Sequence, residues 1–154
     1  MRISVGVLIT ALALSGAATG CGRNGGGPKP LTKDAFIAQA TRICRSGNKQ
    51  QAKVERRKAT NRREAADIVA SGLVIERRMV AELRQLSPPE AMRARWAKYL
   101  SLQQRLITTV RKLVEEVRKG PLDSVESSMN TVRKVDGRAG DIVYGLGIHS
   151  CAPR

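Results

Sequence analysis

Between Thr32 and Tyr144 the apolar residues recur every three or four positions, the spacing that gathers them on one face of an α-helix. Thr32 is a capping residue, with Asp34 in the turn it opens. The helix it starts runs from about Lys33 to Lys58, with Phe36, Ala40, Ile43, Cys44 and Gly47 in register. Its second half is weaker and carries little beyond Ala52 and Val54. Asn61-Arg62-Arg63-Glu64 has the form of a capping box and opens a second helix, striped by Ile68, Ile75, Met79, Leu83 and Leu86. Ser87-Pro88-Pro89 ends it, because proline has no N–H to donate and drives its predecessor out of the helical region. The third helix, from about Glu90 to Lys119, is the most regular: Met92, Trp96, Tyr99, Leu106, Val110, Leu113 and Val117 share one face. Gly120-Pro121 stops it, with Arg118 and Lys119 complementing the negative end of the helix dipole. A fourth helix runs from about Asp123 to Tyr144 through Val125, Met129, Val132, Ala139 and Val143. Gly137 and Gly140 interrupt it, at about 1 kcal/mol each against Ala, and imply a close helix contact or a kink.

Four long helices joined by very short turns predict an all-α fold, an antiparallel four-helix bundle with up-down-up-down connectivity, the alternatives being the opposite handedness or a fused first and second helix. Composition narrows the kind of core. Aromatic residues make up only 3% of the 154, so Leu, Ile, Val, Met and Ala must fill the interior, and Trp96 and Tyr99 belong to the core stripe.

The first thirty residues have a different character. Arg2, the apolar run "ISVGVLITALAL" and the small residues "SGAATG" form a secretory signal over residues 1–20. The run is too short for a comfortable span of a bilayer, which takes about 20 residues. Residues 21–31, rich in Gly and Pro, read as a flexible tether, which leaves 32–154 for the bundle domain. Ala18-Thr19-Gly20-Cys21 resembles the bacterial lipobox, with Ala18 where Leu is usual. In such precursors the cysteine sulfur receives diacylglycerol and becomes the mature N-terminus. That resemblance predicts an extracytoplasmic protein held to the cell membrane through lipidated Cys21; the alternative is cleavage by an ordinary signal peptidase and free secretion. Three cysteines in an exported chain leave an odd one. Lipidation of Cys21 leaves Cys44 and Cys151 as one disulfide pair in an oxidising compartment, the alternative being two buried thiols. The geometry permits the pair: Cys44 lies roughly 16 Å along its helix at 1.5 Å per residue, within reach of the tail after Tyr144 at ~3.3 Å per residue.

Three segments together carry a wider resemblance: "FIAQATRICRSGN" on the first helix, the Leu83, Leu86, Pro88, Pro89 turn, and "YGLGIHSC" at the end. With the signal, they resemble a broad group of uncharacterised small helical lipoproteins and secreted proteins of actinobacteria. Those proteins carry Ala-x-x-Ile-Cys near the mature N-terminus, here Ala40, Ile43 and Cys44, and a closing aromatic-Gly-x-x-x-Cys, here Tyr144, Gly145 and Cys151. The last motif has an extra residue in this chain. The resemblance implies a disulfide-stapled helical domain on a Gram-positive envelope and brings no known activity.

Charge supplies the one conspicuous surface feature. The net charge is +15, and Lys49, Lys53, Arg56, Arg57, Lys58, Arg62 and Arg63 crowd the end of the first helix and the start of the second against the single acid Glu55. In the expected bundle this basic tip joins Arg118 and Lys119 at the end away from the tether. Its expected partners are anionic envelope polymers, lipid headgroups or an acidic protein. Nucleic acid is not expected for an exported chain without exposed stacking aromatics. Catalytic constellations are missing from the sequence: there is no Gly-x-Ser-x-Gly and no phosphate-binding glycine loop. Leu146 precedes His149 by three, where a bundle di-metal centre would need Glu, so neither metal nor cofactor is expected. His149 beside Cys151 reads as a bystander, and Glu115 and Glu116 diverge by about 100° on their helix, as adjacent helical residues do. The expected function is therefore a non-enzymatic, lipid-anchored envelope protein working through its basic tip. The alternative from another class is a carrier holding an apolar ligand in the bundle core, with Gly72, Gly137 and Gly140 leaving room for it.

Overall fold

The computed structural model describes residues 29–153. The expected signal peptide, Cys21 and most of the tether lie outside the described residues. Within them are α1 (Lys33–Glu55), α2 (Arg62–Arg84), α3 (Glu90–Lys119), α4 (Leu122–Gly145) and a 3₁₀ turn, His149–Cys151. The four helices form the expected bundle, and the sequence-encoded stops operate as read. Thr32 Oγ1 accepts from Ala35 N at 3.3 Å, and Asn61 Oδ1 accepts from Glu64 N at 2.9 Å. The reciprocal half of the capping box is displaced by one residue: the Glu64 carboxylate accepts from the backbone N–H and hydroxyl of Thr60 at 2.7 and 2.8 Å.

The main core occupies the half of the bundle nearest the first described residues. Phe36, Ala40 and Cys44 of α1 meet Leu83 of α2, Met92, Trp96 and Tyr99 of α3, and Ala139 and Val143 of α4. Phe36 sets its ring edge-on to Trp96 at 4.9 Å, and Trp96 stacks on Tyr99 at 5.1 Å. Three of the four Phe, Trp and Tyr residues are thus spent together at one place. Leu31, packed on this cluster, donates its N–H to Ser87 O at 2.9 Å and ties the chain's entry to the α2–α3 turn.

The helices contact one another in the order α1–α2–α3–α4, but no Cα of α1 comes within 8 Å of a Cα of α4. At the core end the C-terminal tail fills that gap. Gly147, at φ 79°, turns the chain there: Ile148 N bonds Val143 O at 2.9 Å and Gly147 N bonds Tyr144 O at 3.0 Å, the paired bonds of a Schellman motif. Ile148 is fully buried in the core, and Gly140 lets the tail lie close, since a Cβ there would meet Pro153 Cδ at 2.6 Å. The tail then reaches α1. Asn48 Nδ2 donates to Ser150 O at 2.8 Å, and Cys151 is disulfide-bonded to Cys44 with a Cα–Cα distance of 5.1 Å. Closing a loop of 107 residues in sequence separation stabilises the fold by about 4–5 kcal/mol in the chain-entropy account.

Some expectations change in detail. The first helix ends at Glu55 rather than Lys58, because Arg56, Arg57 and Lys58 are all exposed and no apolar contact holds a further turn. Met129, expected on the core stripe, is 41% exposed, while its neighbour Ser128 is buried. The tail and α3 fix the rotation of α4, and that rotation turns Ser128 inward.

Candidate functional site

The basic turn between α1 and α2 and the α3–α4 turn lie at the same end of the molecule, as three hydrogen bonds show. Arg62 donates from Nε to Val117 O at 2.9 Å, and from Nη2 to Glu116 O at 3.0 Å and Gly120 O at 2.7 Å. Its guanidinium therefore caps the C-terminus of α3, where free carbonyls and the helix dipole attract a cation. Arg57 donates to Ser71 Oγ at 3.2 Å, and Arg118 pairs with Asp67 at 3.0 Å and Glu115 at 3.3 Å. Of the seven cations in the expected tip, Arg62 and Arg57 are thus engaged inside the fold. Lys49, Lys53, Arg56, Lys58 and Arg63 are exposed and form no ion pair among the described residues. Positive charge is not confined to this end. Arg77, Arg84 and Arg111 line a shallow groove between α2 and α3.

A more distinctive feature lies in the interior of the same half. Where the tail fills the space between α1 and α4 at one end of the bundle, the other end is left as a cleft of about 310 Å³. Ligand sites begin at about this size. All four helices line it: Val54 from α1; Ile68, Val69, Gly72 and Leu73 from α2; Leu106, Ile107 and Val110 from α3; Val132 from α4. One wall is held by a bond between helices, Gln51 Nε2 to Gly72 O at 3.0 Å. A Cβ on residue 72 would stand 3.0 Å from Gln51 Oε1, so the glycine admits this approach. Of the three glycines expected to leave space for a ligand, only Gly72 borders the cleft. Gly140 accommodates Pro153, and Gly137 faces open space on the surface.

Into this apolar lining come two carboxylates, Glu76 of α2 and Asp136 of α4, with Glu55 at the exposed lip. Neither Glu76 nor Asp136 takes part in an ion pair among the described residues, although the chain carries 28 lysines and arginines. Both are half-buried. Burial, and secondarily the negative charge of Asp136, push Glu76 up to about 7 from 4.5; burial raises Asp136 as well. Next along the α3 stripe, one and two turns before Leu106 and Ile107, stand Gln103 and Tyr99. Tyr99 Oη and Gln103 Oε1 are buried without a well-formed hydrogen bond among the described residues. Burial first, and then the Glu76 charge, raise the Tyr99 phenol, which stays neutral. The middle of the bundle is thus a polar knot of Tyr99, Gln103, Glu76 and Asp136, and an apolar cleft opens beside it.

These two acids were not singled out from the sequence, yet a signal was there. Glu76 falls between Leu73 and Val80 at helical spacing, and Asp136 between Val132 and Ala139. An acid inside an apolar stripe must be paired, protonated or facing a cavity. The arrangement can hold an apolar body and present a carboxyl pair to its head. No group of three or more His, Cys, Asp or Glu side chains among the described residues is placed to hold a metal. No described helix is long and apolar enough to cross a membrane. Comparison with family models, with curated proteins and with solved structures finds no match to this chain.

Proposed function

We propose that this chain is a non-enzymatic carrier, exported and held at the envelope through Cys21, that shelters an apolar small molecule between its helices. The observation that carries this reading is the 310 Å³ cleft, walled by aliphatic side chains from all four helices and open between α1 and α4, which do not contact each other directly. An apolar ligand seated there removes its own surface and that of the walls from water, worth about 25 cal/mol per Å². A titration with the neutral fluorophore N-phenyl-1-naphthylamine tests it. Saturable binding is expected for the wild type and not for Val132→Trp, which fills the cleft from α4. Equal binding by the two proteins, or none by the wild type, refutes the carrier.

A second reading rests on the five exposed cations of the basic tip, which support binding to anionic envelope polymer or lipid. Basic residues near an anionic surface gain about 1 kcal/mol each, lost within a Debye length. Sedimentation with anionic vesicles separates it from the carrier: binding that ignores both salt and charge reversal at Arg56 and Arg63 rules the tip out. The mass of the mature N-terminus tests the anchor, which requires a diacylglyceryl group on Cys21.

A further inference from the structure

We propose that the cleft selects an apolar ligand carrying a protonated amine, whose ammonium sits between the carboxylates of Glu76 and Asp136. This deepens the carrier reading and rests on it. Charge complementarity favours such a head group over others. In a protein of net charge +15, two acids face one apolar cleft from opposite helices, and no Lys or Arg lines that cleft. Each has been taken partly out of water without a countercharge, which costs free energy unless something pairs it. Their mutual repulsion adds to that cost. A monocation between them relieves both penalties at once, while its apolar tail takes the aliphatic walls. A carboxylate head would meet a third negative charge. A hydroxyl could accept or donate one bond but leave the repulsion in place.

The groups that face this pair from each helix fit the same ligand. Gln51 and Glu55 of α1 stand at the cleft, one amide and one further acid. From α3, the buried Tyr99 and Gln103 back this pair from the core side, neutral and behind the lining of the cleft. From α2 and α4 come Glu76 and Asp136 themselves. No cation from any of the four competes with the ligand. Because the ammonium needs ionised acids, its affinity rises with pH between 5 and 8, through the range where Glu76 loses its proton.

The test uses three probes with the same tail and different heads, 1-octylamine, 1-octanol and octanoate, each titrated calorimetrically into the full chain at pH 5 and pH 8. Octylamine is expected to bind at least ~10-fold more tightly than octanol at pH 8, a gap of about 1.4 kcal/mol, with octanoate weakest. Glu76→Gln and Asp136→Asn, both neutral and of closely similar shape, are expected to lose most of that preference while still binding octanol. Circular dichroism on each variant verifies that it folds, and either one alone is sufficient for the comparison. Octanol binding as tightly as octylamine, or octanoate binding more tightly, overturns the amine assignment and leaves the carrier standing. So does an amine preference that both variants retain. Binding of none of the three overturns both.

Discussion

Replacing Glu76 by Gln is expected to stabilise the ligand-free protein, and only above about pH 5. In the unfolded chain this carboxyl releases its proton near 4.5; in the fold it keeps it up to about 7, chiefly because of burial and then because of Asp136. Between those values the folded state binds more protons than the unfolded one, so stability falls as pH rises. Below pH 4 the group is neutral in both states and contributes nothing. Above pH 8 the full penalty is present, about 3 kcal/mol at ~1.4 kcal/mol per pH unit. Water entering the open cleft makes that a ceiling. Asp136, also raised, tilts the curve the same way. Glu64 and Glu116 are both lowered, so their contribution is lost at acid pH, outside this window. Urea denaturation followed at 222 nm should therefore show wild-type stability declining from pH 5 to pH 8. The Glu76→Gln curve should be flatter and should lie above it by up to ~3 kcal/mol at pH 8, roughly 6–12 °C in melting temperature for a domain of this size. Parallel curves, or a variant less stable than the wild type at pH 8, would refute the placement of an unpaired carboxyl in the cleft.

Arg62→Ala removes three bonds to the carbonyl end of α3 and is expected to cost about 1–3 kcal/mol in the same denaturation assay; a loss no greater than that of Arg63→Ala would show that the cap contributes nothing. Gly137→Ala and Gly140→Ala should act in opposite directions on the melting temperature. The first adds a methyl to open space at an exposed helical site and gains up to about 1 kcal/mol. The second drives a Cβ against Pro153 and displaces the tail, and is expected to destabilise.

Helix ends marked by a cap or a proline were legible in the sequence, to within a few residues, because those signals are local chemistry; the end of α1, which carries no such signal, was not. Asn61 and Thr32 cap as read, and Pro88-Pro89 and Gly120-Pro121 stop their helices, since a missing donor or a fixed φ acts whatever lies across the bundle. The Cys44–Cys151 pair followed from parity and reach, and the structure places the two together. Rotation of a helix about its axis was less legible. Ser128 rather than Met129 faces inward because the partners of α4, not its own pattern, decide its phase. The role of Arg62 was hidden for a similar reason: a run of cations looks solvated until the carbonyl end of another helix is brought beside it. The acids of the cleft lay in plain view, at helical spacing within apolar stripes, but their meeting depends on which faces of α2 and α4 are opposed.

Why the cleft lies at this end follows from the weak second half of α1. Beyond Gly47 that helix offers only Ala52 and Val54 as apolar side chains, so it cannot fill the space its first half fills with Phe36, Ala40 and Cys44. The C-terminal tail solves the same problem at the other end, by inserting Ile148 and crosslinking to Cys44. Nothing comparable among the described residues enters the distal half. A sealed, empty void of 310 Å³ would cost on the order of 7 kcal/mol at ~24 cal/mol per Å³. That would be most of the stability of a typical domain, about 5–15 kcal/mol. The fold avoids that cost by leaving the cleft open between α1 and α4, where water can reach it and a ligand can replace the water. Carboxylates in its lining, with no cation beside them to quench their charge, are what the carrier proposal adds to this account of the opening.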